Sequence, residues 1–131
     1  MLENIYSLRD DRRSIRSVQE VSLDKSSNSG LKIENNLLFG SDEWFNAIEN
    51  GEIRRHKIVG TISRVFMSGH NDYPQFEIEN SEGTTNWTRA GTDTAYKVGR
   101  RVEVIYVEQK FKRHLPLISK CVLEINIETA E

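Results

Sequence analysis

Apolar and polar side chains alternate without a break near the C-terminus, with Cys121, Leu123, Ile125 and Ile127 on one side and Val122, Glu124, Asn126 and Glu128 on the other. Period two marks a strand with one buried face. Four further β segments precede it. The run from His56 to Met67 is long, and its apolar set changes phase from Ile58 and Ile62 to Val65 and Met67, with Gly60 inside it. A straight strand cannot change face, so a bulge or bend is expected there. Gln75 to Asn80 carries Phe76 and Ile78 on one side, and Thr84 to Arg89 carries Trp87, each bounded by turn formers. The block from Tyr96 to Val107 opens on a polar turn and feeds a β-branched run whose Val102, Val104 and Tyr106 are expected to face the interior. Five β segments, the first long and bent, predict a mainly β chain built on a small five-stranded OB-like or SH3-like barrel.

Helical signals are fewer. Ser41 fits an N-cap, Asp42 and Glu43 suit the positive end of a helix dipole, and Gly51 fits a stop, which predicts a short helix near 42–50. Trp44, Phe45 and Ile48 share one side of it, either packed on the sheet or presented to a partner. Leu31, Ile33, Leu37, Leu38 and Phe39 mark an extended segment before it. Residues 1–23 have scattered apolar positions around the charged Arg9-Asp10-Asp11-Arg12-Arg13 run and predict at most a weak helix. Asp24 to Gly30 is polar and turn-rich. The expected organisation is therefore a loosely attached N-terminal arm and linker over 1–30, then a domain over 31–131.

Composition narrows the function classes. A chain of 131 residues, 37% hydrophobic and 29% charged, is an ordinary one-domain composition. The single Cys121 cannot form an internal disulfide, the longest apolar runs fall far short of the roughly 20 residues that span a bilayer, and the first residues lack a secretory pattern. A cytoplasmic location is the expectation. His70 and Asp72 stand two apart in a turn, but no further ligand or nucleophile stands at a recognisable spacing, and His56 and His114 lie in basic runs. Glu77 and Glu79 share the polar side of one segment, and the dispersed glycines form no phosphate loop. The expectation is a non-enzymatic protein with no catalytic, cofactor-binding or metal-binding residues.

Charge is sorted along the chain. Residues 97–114 hold Lys97, Arg100, Arg101, Lys110, Lys112 and Arg113 against only Glu103 and Glu108, whereas residues 34–52 hold Glu34, Asp42, Glu43, Glu49 and Glu52 with no cation. Such segregation suits binding to another protein or self-association, with Trp44 and these six cations as the partner-binding residues. The alternative is single-stranded nucleic acid held by the same cations, with Trp87 or Phe111 stacking on bases.

Val59-Gly60-Thr61-Ile62, Tyr73-Pro74-Gln75-Phe76-Glu77-Ile78, Glu82-Gly83-Thr84, and Tyr96-Lys97-Val98-Gly99 leading into Val102 to Tyr106 together resemble a family of bacterial domains of unknown function. Those are small β-barrels, often carried between membrane helices. The resemblance spans residues 58–107 and implies a barrel, bringing no catalytic residues with it. The chain departs from that family in lacking a membrane helix and in reading Val107-Glu108-Gln109-Lys110 where an aspartate-proline-rich turn is usual.

Overall fold

A computed structural model of the chain describes residues 2–67, 69, 73–112 and 117–129. Its regular elements are β1 (Leu2–Ser7), α1 (Arg12–Leu23), α2 (Asp42–Glu49), β2 (Arg55–Met67), β3 (Pro74–Asn80), β4 (Gly83–Thr88), β5 (Arg101–Lys110) and β6 (Ile118–Glu128). The strands form one sheet in the order β1-β6-β5-β2-β3-β4, antiparallel where β1 meets β6, β2 meets β3 and β3 meets β4. The chain is mainly β, as the alternation requires, and the five expected strands are present.

The sixth strand corrects the reading of the N-terminus. Residues 2–7 are an edge strand rather than the start of a weak helix, paired to β6 from Leu2↔Glu128 to Ser7↔Glu124 with a register shift between Asn4 and Tyr6. Main-chain pairing holds it, and its first three side chains are exposed, so it offers no alternation to read. The helix starts later, where the Asp11 carboxylate accepts the Ser14 N–H at 3.2 Å. Leu8 and Ile15 are buried, so the first thirty residues contribute to the core.

Chain contacts divide the molecule into two compact units, residues 1–7, 57–105 and 124–131 in the first and residues 8–56 and 106–123 in the second. In the first, Ile62, Phe76, Ile78, Val102, Val104, Ile125 and Ile127 are fully buried. The expected slip in β2 is real: its register against β3 shifts between Ile62 and Arg64. Gly60 precedes the shift because a Cβ there would run into the Glu79 carbonyl and approach Ile78 Cγ2 at 2.7 Å. Gly91, just past β4 and at φ +76°, lies against the Ile5 carbonyl of β1, so the two edge strands of the sheet approach each other at that point. Tyr96 packs on Phe76 with ring centroids 4.8 Å apart, and its hydroxyl bonds both the N–H and the carbonyl of Ala90. Burial pushes its phenol up to about 12. A polar row crosses four strands: Asn4 donates to Asn126, Asn126 donates to Glu103, and Lys57 Nζ stands 3.8 Å from Glu103.

The second unit is built around Trp44, Phe45, Ala47 and Ile48 of α2, with Leu8, Ile15, Leu31, Phe39, Val107, Cys121 and Leu123. Phe39 and Phe45 flank the Trp44 ring at 4.8 and 5.1 Å. Cys121 is buried, and burial raises its thiol pKa. β5 changes phase on entering this unit: after Val102 and Val104 the buried residue is Val107, not Tyr106. Tyr106 was expected inside and is instead half-buried, stacked on His56 with centroids 5.2 Å apart.

Candidate partner-binding surfaces

The α2 surface is set by its sequence in a few steps. Ser41 Oγ accepts the Trp44 N–H at 3.2 Å and donates to the Leu38 carbonyl at 2.8 Å, which fixes the helix start. Asp42 and Glu43 occupy the first turn, where the helix dipole favours carboxylates. Asn50 and Gly51 end it, the latter at φ +83°. With four side chains turned inward, Asp42, Glu43, Asn46 and Glu49 are exposed. Beside the helix, Glu34 to Leu37 makes a tight turn in which Asn35 and Asn36 both have positive φ, 54° and 60°, and Leu37 N–H donates to the Glu34 carbonyl at 2.9 Å. Two successive left-handed residues give a type I′ turn, for which asparagine is suited. A depression of about 280 Å³ lies between Glu34, Leu37, Glu52, Arg54 and Glu108 above Trp44. It is open, shallow and rich in carboxylates.

A second surface of the same unit has the opposite character. Lys112 Nζ donates to the carbonyls of Val21 (2.7 Å), Asp24 (2.8 Å) and Ser22 (3.4 Å), fixing a cation on the C-terminal end of α1 where the dipole favours it. Leu31 bridges Phe111, Lys32 N–H donates to the Lys110 carbonyl, and Phe111 N–H donates to the Leu117 carbonyl at 3.5 Å. The end of α1, residues 30–32, the end of β5 and the start of β6 are thereby drawn together.

Residues 2–128 match the family model of the immunity protein RhsI2. The chain belongs to the RhsI2 immunity protein family. No curated protein matches it. The family covers nearly the whole chain, where the resemblance noted above covered residues 58–107, and it carries a function, immunity, where that resemblance implied none. As a member of an immunity family the chain is a protein-binding module. Among the described residues no helix is long and apolar enough to cross a membrane.

Against that role, the residues singled out from the sequence are placed as follows. Trp44 is fully buried and donates its indole N–H to Gln109 Oε1 at 3.0 Å, so it supports the acidic surface from below and offers no ring to a partner. Lys97, Arg100 and Arg101 fall in the first unit, whereas Lys110 and Lys112 fall in the second. Arg101 and Lys110 are the first and last residues of β5. Arg100 donates to the Ala95 carbonyl at 3.0 Å, Lys110 lies 3.9 Å from Glu34, and Lys97 and Arg101 are exposed. Trp87 is buried, with its N–H on Thr85 Oγ1 at 2.8 Å, and Phe111 is half-buried, so neither presents an open ring for base stacking. Arg113, His70, Asp72 and His114 lie outside the described residues. Leu23, Leu117 and Ile118, not singled out from the sequence, are exposed. Ile118 carried a signal: it falls on the outward register of β6, with Lys120 and Val122, opposite Cys121 and Leu123.

Proposed function

We propose that this chain is a non-enzymatic immunity protein that neutralises a toxin by binding it, and that the acidic face of α2 docks on the toxin. The observation that carries the surface is the division within one helix. Its apolar side is locked into a core with Trp44 fully buried and roofed by the depression that Glu34, Glu52 and Glu108 line, while Asp42 and Glu43 are exposed on its outward side, Asp42 on a separate depression shared with Arg12 and Arg16. Carboxylates on a rigid frame present fixed charge to a basic partner surface without an ordering cost at binding. Exposed charge of this kind acts mainly on association rate and on salt dependence.

The test is a challenge assay. Cells producing the cognate toxin are expected to grow when this chain is co-produced, and Asp42→Lys with Glu43→Lys and Glu52→Lys is expected to abolish protection. In calorimetry the unmodified pair should weaken as salt is raised, and the triple variant should bind at least tenfold more weakly. Full protection by a triple variant with unchanged affinity would reject the α2 face.

A further inference from the structure

We infer that the free edge of β4 is a self-association site, where a second copy of this chain pairs antiparallel, strand to strand, about a two-fold axis at Asn86. The inference goes beyond toxin binding and uses neither the α2 face nor its charge. The register of β3 with β4 fixes which main-chain groups are open. Asn80↔Gly83 closes the two-residue turn, and Arg89 N–H donates to the Pro74 carbonyl at 3.0 Å one step past the strand. Bonded and non-bonded pairs alternate between those points, so Gly83, Thr85 and Trp87 bond β3, while Thr84, Asn86 and Thr88 turn their N–H and carbonyl groups to the other side. All three residues are exposed. β4 ends the strand order, and among the described residues no main-chain bond from another segment reaches them. The approach of Ile5 is at Gly91, past the end of the strand.

The two edges of the sheet are guarded differently. β1 has a register shift between Asn4 and Tyr6 and carries Glu3, two devices that discourage strand addition. β4 reads Gly-Thr-Thr-Asn-Trp-Thr, with no charge, no proline and no shift in its pairing. Self-complementarity selects the occupant. Antiparallel pairing centred on Asn86 sets Asn86 against its own counterpart and Thr84 against Thr88, so the three outward N–H and three outward carbonyl groups of each copy all find partners. Facing amides can both donate and accept, and no like charges are opposed. In register, Glu77 and Glu79 of β3 stand opposite Asn86 and Thr84. The Glu77 carboxylates of the two copies would lie three strand spacings apart, about 14 Å, beyond the screening length of about 8 Å at physiological salt. A foreign extended segment would meet the same main-chain groups without that reciprocal fit. A six-residue edge, roughly 20 Å long, buries less than the about 1,200 Å² of a stable complex, so the pair forms only at high concentration.

Sedimentation equilibrium on the full chain provides the test. The unmodified chain should move from monomer toward dimer as its concentration rises to about 1 mM. Asn86→Lys sets two ammonium groups against each other, and Asn86→Pro removes the central N–H at an edge position, where proline is tolerated; each should weaken association at least tenfold. The lysine variant should keep its thermal midpoint, since Asn86 is exposed. Mixing Asn86→Lys with Asn86→Glu should restore the dimer, because a two-fold axis at Asn86 brings the two substituted side chains face to face. A chain that stays monomeric at that concentration, a dimer indifferent to Asn86→Lys, or a mixture no better than the single variants overturns the inference. Toxin affinity separates this from the α2 reading: it should be unchanged in Asn86→Lys, and a monomeric chain that loses toxin binding on that substitution assigns the edge to the toxin and overturns self-pairing.

Discussion

The two helices of the second unit are held in opposite ways. α2 turns four of its eight residues into the core, including the fully buried Trp44, whereas α1 spans twelve residues and buries only Ile15 and Ser22. What α1 lacks in apolar contact it gains in polar ties: the Asp11 cap, Gln19 Nε2 donating to the Phe39 carbonyl at 2.9 Å, Leu31 N–H donating to Ser22 Oγ at 3.0 Å, and Lys112 on its last carbonyls. Hydrophobic burial is worth more than exposed hydrogen bonding. One helix is therefore a fixed platform, and the other is held by polar ties, of which the Ser22–Leu31 bond is buried while those of Asp11 and of Lys112 to Val21 face solvent.

Substitutions graded by size bear directly on that contrast. Trp44→Ala should be the most damaging, at about 3–5 kcal/mol in urea denaturation, because it empties the centre of the α2 core; a loss under 1 kcal/mol would remove the distinction between the helices. Lys112→Met should cost less, about 1–2 kcal/mol, and should act locally. Amide exchange should accelerate at the C-terminal end of α1 and stay unchanged in α2, and equal acceleration in both would break the comparison. Ser41→Ala and Asp11→Ala each remove one cap and should cost about 1 kcal/mol, with hydrogen exchange showing fraying over more of α1 than of α2 because α2 is pinned by packing. The smallest effect belongs to the Arg9–Glu49 pair at 2.9 Å, whose side chains are both about half exposed. A double-mutant cycle should give at most about 0.5 kcal/mol, falling further in high salt.

Legibility in the sequence followed the same division between burial and polar tethering. α2 was readable because cap, first-turn acids, apolar side and stop all agree over Ser41 to Gly51. β3 and the inward residues of β6 were readable by period, and the slip in β2 by its change of phase. β1 was not, since a strand at the edge with exposed side chains is specified by the strand it pairs with. Tyr106 was misplaced because β5 also slips phase, and its unbroken β-branched run hides the step. The candidate surfaces were half legible. Charge segregation along the chain was visible, but a linear count cannot tell that Arg101 and Lys110 stand at opposite ends of one strand, nor that Lys112 is occupied with helix carbonyls.

The pairing of β1 with β6 has a kinetic meaning. Asn4 and Asn126 are joined by a side-chain bond across a sequence separation of 122 residues. Closing so long a loop carries an entropic toll that only the finished sheet repays, and contacts of that range slow folding. β1 precedes β6 in the chain and stays without its partner until β6 is available to pair. The time taken to seat this strand therefore sets a lower bound on how quickly the finished sheet forms.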